Sequence, residues 1–312
     1  MFSWRKKTTK KALCPTSKII AMKPYLIVGF LIILYFPLLS QNFPNKKKYK
    51  LPKELTEVSG LYRAAPDSLW WHNDGGHPAE LFLTDSRGAL LWKTPVPDAL
   101  NRDWEDLTAD DKGNLYIGDF GNNFNRRRDL AIYIFHPASR RLDSIRFQYP
   151  DQQAFPPEPG RQNFDMEACF WFQDSLHLFS KNRLHRGNYY TKHYTLPARP
   201  GTYTATLRDS LYLKKRVVTA AAISPDGRSA ALLAYWFKPF LGFIPITPAD
   251  IFVLTDYAGT GFLKGKARKK KGARCLWPTQ FEALDYITPY SVWIASERTI
   301  LFKQKMKRKR VD

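Results

Sequence analysis

Residues 103–123 read DWEDLTADDKGNLYIGDFGNN: a short apolar strand behind an acidic start, a DKG turn, a second apolar strand, and a Gly/Asp/Asn close. That outline recurs. It appears as ELTEVSGLYRAAPDSLWWHNDGG (54–76), DMEACFWFQDSLHLFSKNR (165–183), VTAAAISPDGRSAALLAYW (218–236) and QFEALDYITPYSVWIASER (280–298). Polar turn residues between two apolar runs specify a hairpin each time. Glu57, Glu105, Glu167 and Glu282 open four of the units, and Ala220 stands at that place in the fourth. The spacings of 48, 62, 53 and 62 residues suit four-stranded units of about fifty residues.

Third strands follow at 80–85, 131–137, 192–198, 250–256 and 299–305, and fourth strands at 90–96, 142–149 and 211–217, with a weak candidate at 262–267. The last unit ends one strand short, and residues 47–53 (KKYKLPK) are placed to supply it. These features predict an all-β fold, a β-propeller of four-stranded blades, five visible and a sixth possible within 231–280, closed by an N-terminal strand that hides both edges. A two-sheet sandwich would also explain short strands, but not a glutamate restarting each unit.

The 312 residues are 44% hydrophobic and 15% aromatic, enough for a sizeable core. Residues 25–40 (YLIVGFLIILYFPLLS) follow basic residues and precede polar ones, which predicts a signal peptide within 1–40 or, uncleaved, an N-terminal membrane anchor. Met22 offers an alternative start. Either reading predicts a secreted or periplasmic domain, or one anchored with the propeller outside the cytoplasm. The propeller is assigned 41–305, followed by a basic tail at 306–312. Cys169 and Cys275 could remain thiols or pair, and no cysteine/histidine spacing suits structural zinc.

The formal charge of +21 is unevenly held. The tracts 46–50, 264–274 and 303–312 contain 17 basic residues and one acidic, and the body beyond residue 40 is otherwise near neutral. Such tracts suit anionic lipid or polysaccharide, or simply a solvated surface. Nucleic acid is disfavoured because aromatics are spread through strands as core residues are.

In a propeller the first residue of each inner strand and the last of the second strand meet at one channel mouth. There the sequence places the restart glutamates with His72, Asn73, Asp74, Asp119, Asn122, Asn123, Lys181, Asn182 and Glu297, and Arg126 stands beside them in an arginine run. Crowded carboxylates need a neutralising cation, and all-oxygen donors favour calcium over magnesium. The alternative is that the glutamates merely lock neighbouring blades. For catalysis only His72, Glu105 and Asp119 stand out, as a base and proton carrier beside a metal-bound water acting on a lactone or phosphoester. No G-x-S-x-G or H-E-x-x-H motif is present. A binding module for an envelope or extracellular ligand, monomeric, is the expected function.

The set HND (72–74), DWEDL (103–107), GDFGNN (118–123), DMEA (165–168), SKNR (180–183), SPDG (224–227) and FEAL (281–284) resembles a group of exported bacterial β-propeller proteins without settled activity. More distantly it is similar to calcium-dependent propellers of the senescence-marker/gluconolactonase and strictosidine-synthase-like superfamily. That resemblance implies metal-region roles for Glu57, Asn73, Glu105, Asp119, Glu167 and Glu282. The chain departs from it at Ala220, which leaves the ring of carboxylates incomplete.

Overall fold

The computed structural model describes residues 48–182, 189–236, 238–240, 244–274 and 279–312, with the side chains of 238–240, 244 and 245 left aside. Strand β1 (Lys48–Lys50) precedes the first full blade, built from β2 (Val58–Ala65), β3 (Ser68–Asn73), β4 (Glu80–Thr84) and β5 (Leu90–Pro95). Blade 2 contains β6 (Trp104–Ala109), β7 (Leu115–Asp119), β8 (Ala131–His136) and β9 (Arg141–Gln148). In blade 3, β10 (Asp165–Phe172), β11 (Ser175–Lys181) and β12 (Tyr190–Pro197) come first. The chain then adds β13 (Gly201–Thr204) in parallel to β9 of blade 2, before β14 (Thr206–Tyr212) completes blade 3. Blade 4 is β15 (Val217–Ile223), β16 (Ala230–Tyr235), a small hairpin β17 (Lys238–Phe240) and β18 (Ile244–Ile246), β19 (Ala249–Thr255) and β20 (Lys266–Ala273). Blade 5 is β21 (Phe281–Thr288), β22 (Ser291–Ser296) and β23 (Lys305–Arg310), with β1 as its fourth strand.

The inner strands touch in a closed cycle, β2 on β6, β6 on β10, β10 on β15, β15 on β21 and β21 on β2. Five blades therefore complete the ring, and the region 231–280 adds only a hairpin to blade 4. The expected N-terminal closure is present, with Lys48 opposite Lys307 and Lys50 opposite Lys305. Its partner strand is Lys305–Arg310, six residues beyond the start expected at 299. The basic segment 306–312 is thus mostly strand, because Met306 at 0% exposure supplies the apolar contact that Ile300, at 97%, does not. The fourth strands of blades 3 and 4 also shift, to 206–212 and 266–273, since residue 217 already belongs to the next inner strand.

Apolar clusters fill the spaces between blades. Tyr116, Ile132, Ile134, Met166, Leu178 and Tyr194 join blades 2 and 3. Ile251, Val253, Leu284, Val292 and Ile294 join blades 4 and 5. Burial of this kind, at roughly 25 cal/mol per Å² of apolar surface, supplies the main force holding the ring. Polar latches refine the register. Asp106 accepts backbone N–H groups of Cys169 (2.8 Å) and Ala221 (3.3 Å), and Asp285 accepts that of Arg63 (2.6 Å).

Among the described residues no helix is long and apolar enough to cross a membrane, which goes against the membrane character expected of the chain; that expectation rested on residues 25–40. The expected signal or anchor, residues 1–40, lies outside the described residues, as does Cys275. Cys169 is a buried free thiol.

Candidate functional site

Each inner strand carries one register shift near its start. The irregularity falls between Val58 and Leu61, Trp104 and Leu107, Met166 and Ala168, Val218 and Ala220, and Phe281 and Ala283. A β-bulge re-aims the extra residue out of the ladder. The shifts enclose Glu105, Glu167 and Glu282 in blades 2, 3 and 5, and hydroxyl residues Ser59 and Thr219 in blades 1 and 4. The structural counterparts of the glutamates are therefore Ser59 and Thr219, rather than the Glu57 and Ala220 that the sequence repeat aligns. Both hydroxyls donate to the neighbouring blade, Ser59 to the Glu105 carbonyl and Thr219 to the Phe281 carbonyl at 2.9 Å. In blades 1 and 4 the hydroxyl at the bulge therefore ties the inner strand to its neighbour.

Glu105, Glu167 and Glu282 are all 3% exposed or less. Burial pushes each carboxyl well above its usual range, and neighbouring carboxylates add to it: Glu167 and Asp74 act on Glu105, Asp165 and Glu282 on Glu167, and Glu297 on Glu282. Asp74 and Glu297 extend the cluster, each raised to about 7, first by burial and then by surrounding carboxylates. Lys181 stands among them, its ammonium 2.8 Å from a Glu167 oxygen. Burial disfavours its charge, but the pull of Glu167 and the other carboxylates wins and raises its pKa. Gln280 ties blade 5 together by donating to both Glu282 and Glu297 at 3.2 Å.

Two glycines make the crowding possible. A Cβ at Gly121 would lie 2.2 Å from a Glu105 oxygen and 2.5 Å from the Asp103 carboxylate, and one at Gly75 would lie 2.7 Å from Asp103. Any side chain there would displace the acidic groups.

Two sets of three carboxylates have oxygens that all lie within 4.8 Å of one another: Asp74 with Glu282 and Glu297, and Asp74 with Asp103 and Glu105. Asp74 of blade 1 is common to both and links blade 5 to blade 2. The donor set is hard oxygen throughout, a set of ligands that could hold a divalent cation. Asp103 is the member that the sequence reading missed. Its position two residues before Glu105 in DWED, on the same side of a period-two strand, is the signal that could have found it.

Other expected site residues have different surroundings. Glu57 is half exposed, its carboxylate 3.5 Å from His77. Asn73 accepts the Glu57 N–H at 3.2 Å and donates to the Glu54 carbonyl at 2.9 Å, holding the chain that precedes β2. Asp119 is paired with Arg127 at 3.0 Å, although burial still raises its pKa against that pull. Asn122 accepts the N–H groups of Arg126 (2.8 Å) and Arg127 (2.9 Å), which shapes the loop after β7. Arg126 itself is exposed, Asn123 is half-buried and Asn182 is buried. His72 lies fully buried against Trp104, and burial lowers its pKa to about 4. Its Nδ1 faces the Asn73 carbonyl at 3.0 Å, so it is packed between blades 1 and 2.

At the other end of the channel, a cavity of about 390 Å³ is lined by Tyr62, Ala109, Trp171, Phe172, Ile223 and Asp285 among others. Its Asp285 carboxylate accepts the backbone N–H groups of Arg63 (2.6 Å) and Tyr286 (2.7 Å).

No protein family's sequence profile matches the chain. No curated protein matches it in sequence either. Solved structures resemble it distantly. The Dos1 propeller aligns over 80% of this chain and 56% of its own, with 9% identity and a TM-score of 0.40. An α-L-arabinanase of Penicillium chrysogenum aligns over 85% and 98%, with 8% identity and a TM-score of 0.48. A structural-genomics target assigned as a gluconolactonase aligns over 86% and 93%, with 10% identity and a TM-score of 0.44. The likeness is one of fold alone. The chain spans just over half the length of the first of these.

Proposed function

We propose that the protein is an exported binding module whose acidic channel mouth takes up a calcium ion and, with it, a ligand of the cell envelope or extracellular space. The observation that carries this reading is the sharing of Asp74 between two groups of three carboxylates drawn from blades 5, 1 and 2. Calcium suits it better than magnesium because six to eight oxygens in irregular geometry satisfy the one, and near-octahedral order is needed by the other. The apolar segment at 25–40 supports export, and closure of blade 5 by β1 supports a monomer.

The test begins with chelator-treated protein. Returning calcium should raise the melting temperature, by the equivalent of about 2.7 kcal/mol at a hundredfold excess over the dissociation constant. A glycan array probed with and without calcium should then show retention only with the ion. Absence of both binding heat and melting shift, with Glu105→Gln destabilising the chelated protein, would return the glutamates to a purely structural role.

A second reading has one observation in its favour: Asp74 and Glu297 titrate near neutrality, where acid–base catalysis is most effective. Hydrolysis of a lactone or phosphoester would then use these groups instead of the interblade His72. Turnover of a chromogenic lactone or phosphodiester that Glu297→Gln abolishes, while calcium still binds, would favour it.

A further inference from the structure

The basic tracts converge where the sequence alone does not bring them together. In an antiparallel ladder, directly opposed residues project to the same side of the sheet. Ile251 and Val253 of β19 and Val292 and Ile294 of β22 meet in the core between blades 4 and 5. Their partners on the next strands outward are Lys270 and Arg268 of β20, and Lys309 and Lys307 of β23. Lys266 and Lys305 continue the two rows, and Lys48 and Lys50 of β1 stand opposite Lys307 and Lys305 on the same side. The cleft that is apolar near the channel therefore becomes basic on both walls toward the rim.

Two contacts fix this orientation. The Lys307 ammonium lies 5.0 Å from the centre of the Phe281 ring, which belongs to the blade 4/5 core. Lys270 donates to the main-chain oxygen of Asp312, just beyond β23, which draws the two walls together at one end. Strands β1, β20 and β23 contain no acidic residue. Directly opposed like charges such as Lys48/Lys307 and Lys50/Lys305 weaken a sheet, so the arrangement costs the fold stability.

We propose that this cleft is a docking groove for a single extended chain of an acidic polysaccharide. The two basic rows lie on the outer strands of neighbouring blades, where one linear polyanion can be held by both. Single-stranded nucleic acid is bound on aromatic stacking platforms. The three basic strands have one aromatic, Tyr49, and it faces the other way, against Trp293 at 6.1 Å. Seven of the eight cleft residues on β20, β23 and β1 are lysines, all but Arg268, and all of these lysines except the buried Lys305 offer point charges that match scattered carboxylate or sulfate groups without the planar fork used on bases.

The experiment compares two triple variants with the same charge loss: Lys266, Arg268 and Lys270 to Gln in the cleft, and Lys264, Lys269 and Lys271 to Gln outside it. Polygalacturonate is the probe, at low ionic strength and in chelator, so that the channel mouth is kept out of the measurement. The cleft variant should bind about tenfold more weakly, and the control should stay within about twofold of the parent. Melting temperatures of both should stay close to the parent, since the substituted side chains are exposed or half-buried and the cleft variant loses one exposed contact, Lys270 to Asp312. Equal losses in the two variants would reduce the effect to net charge and overturn the proposal. So would failure of the parent to bind, or displacement of polygalacturonate by an equal charge of poly(dT).

Discussion

Calcium uptake at the mouth should release protons, and the number is set by the buried carboxyls. Asp74 and Glu297 titrate at about 7. At pH 6 each is therefore about nine-tenths protonated, and at pH 8 about one-tenth. A cation that needs both as carboxylates must expel about two protons at pH 6 and almost none at pH 8. The apparent affinity should accordingly fall about thirtyfold from pH 7 to pH 6, approaching tenfold per proton per unit at lower pH, with each tenfold step worth about 1.4 kcal/mol. Glu105 and Glu282, which burial also pushes well above the usual carboxyl range, add to the dependence. The same shifts fix the sign for the ion-free fold. The folded chain binds more protons than the unfolded one between the ordinary carboxyl range and about pH 7, so stability is full at the acidic side of that window and declines as pH rises through it. Isothermal titration of calcium in buffers of different ionisation enthalpy, at pH 6 and pH 8, counts the protons directly. Glu297→Gln should lower the pH 6 count by about one. A count near zero at pH 6, with calcium still bound, would show that the ion does not use these two groups and would refute the placement around Asp74.

Replacing Lys181 by Met leaves Glu167 buried without its ion pair, which should cost about 3–5 kcal/mol of unfolding free energy, and Lys181→Met combined with Glu167→Gln should recover much of it in a denaturant titration. Loss of stability in the double variant equal to that in the single one would argue against the pair. Deleting residues 48–50 opens the edge of β23 and should lower the melting temperature of the whole ring as one transition, with aggregation at high concentration as the edge becomes available. An unchanged melt would show that closure does not depend on β1.

The architecture was legible because the repeat unit is a physical unit. Apolar runs separated by DKG, PDG and similar turns dictate hairpins whatever surrounds them, and a missing last strand dictates a borrowed one. What the letters could not show was how the ladder slips. Glu57 and Ala220 occupy the repeat position by alignment, yet the bulges place Ser59 and Thr219 beside Glu105, Glu167 and Glu282. A one-residue slip sends every side chain to the other face, so the register of a bulge decides which residue enters the channel, and register is a property of pairing rather than composition. The same limit applies to Asp119, whose fate turns on Arg127 folding back over it from eight residues on.

The basic strands illustrate the converse. Read linearly, 306–312 is a charged tail after the last apolar segment, because Ile300, Leu301 and Phe302 look like strand and KMKRKR does not. The fold prefers KMKRKR because only alternate positions need to be apolar at the rim of a blade. Met306 reaches the core and Lys305 beside it is buried, while Lys307, Arg308 and Lys309 are half-buried, as long side chains with apolar stems can be. A lysine-rich sequence can thus satisfy a β-ladder and a charged groove at once. This is why tracts that look like solvated appendages can be the two walls of one cleft, and why a charge map drawn along the chain gives no warning of it.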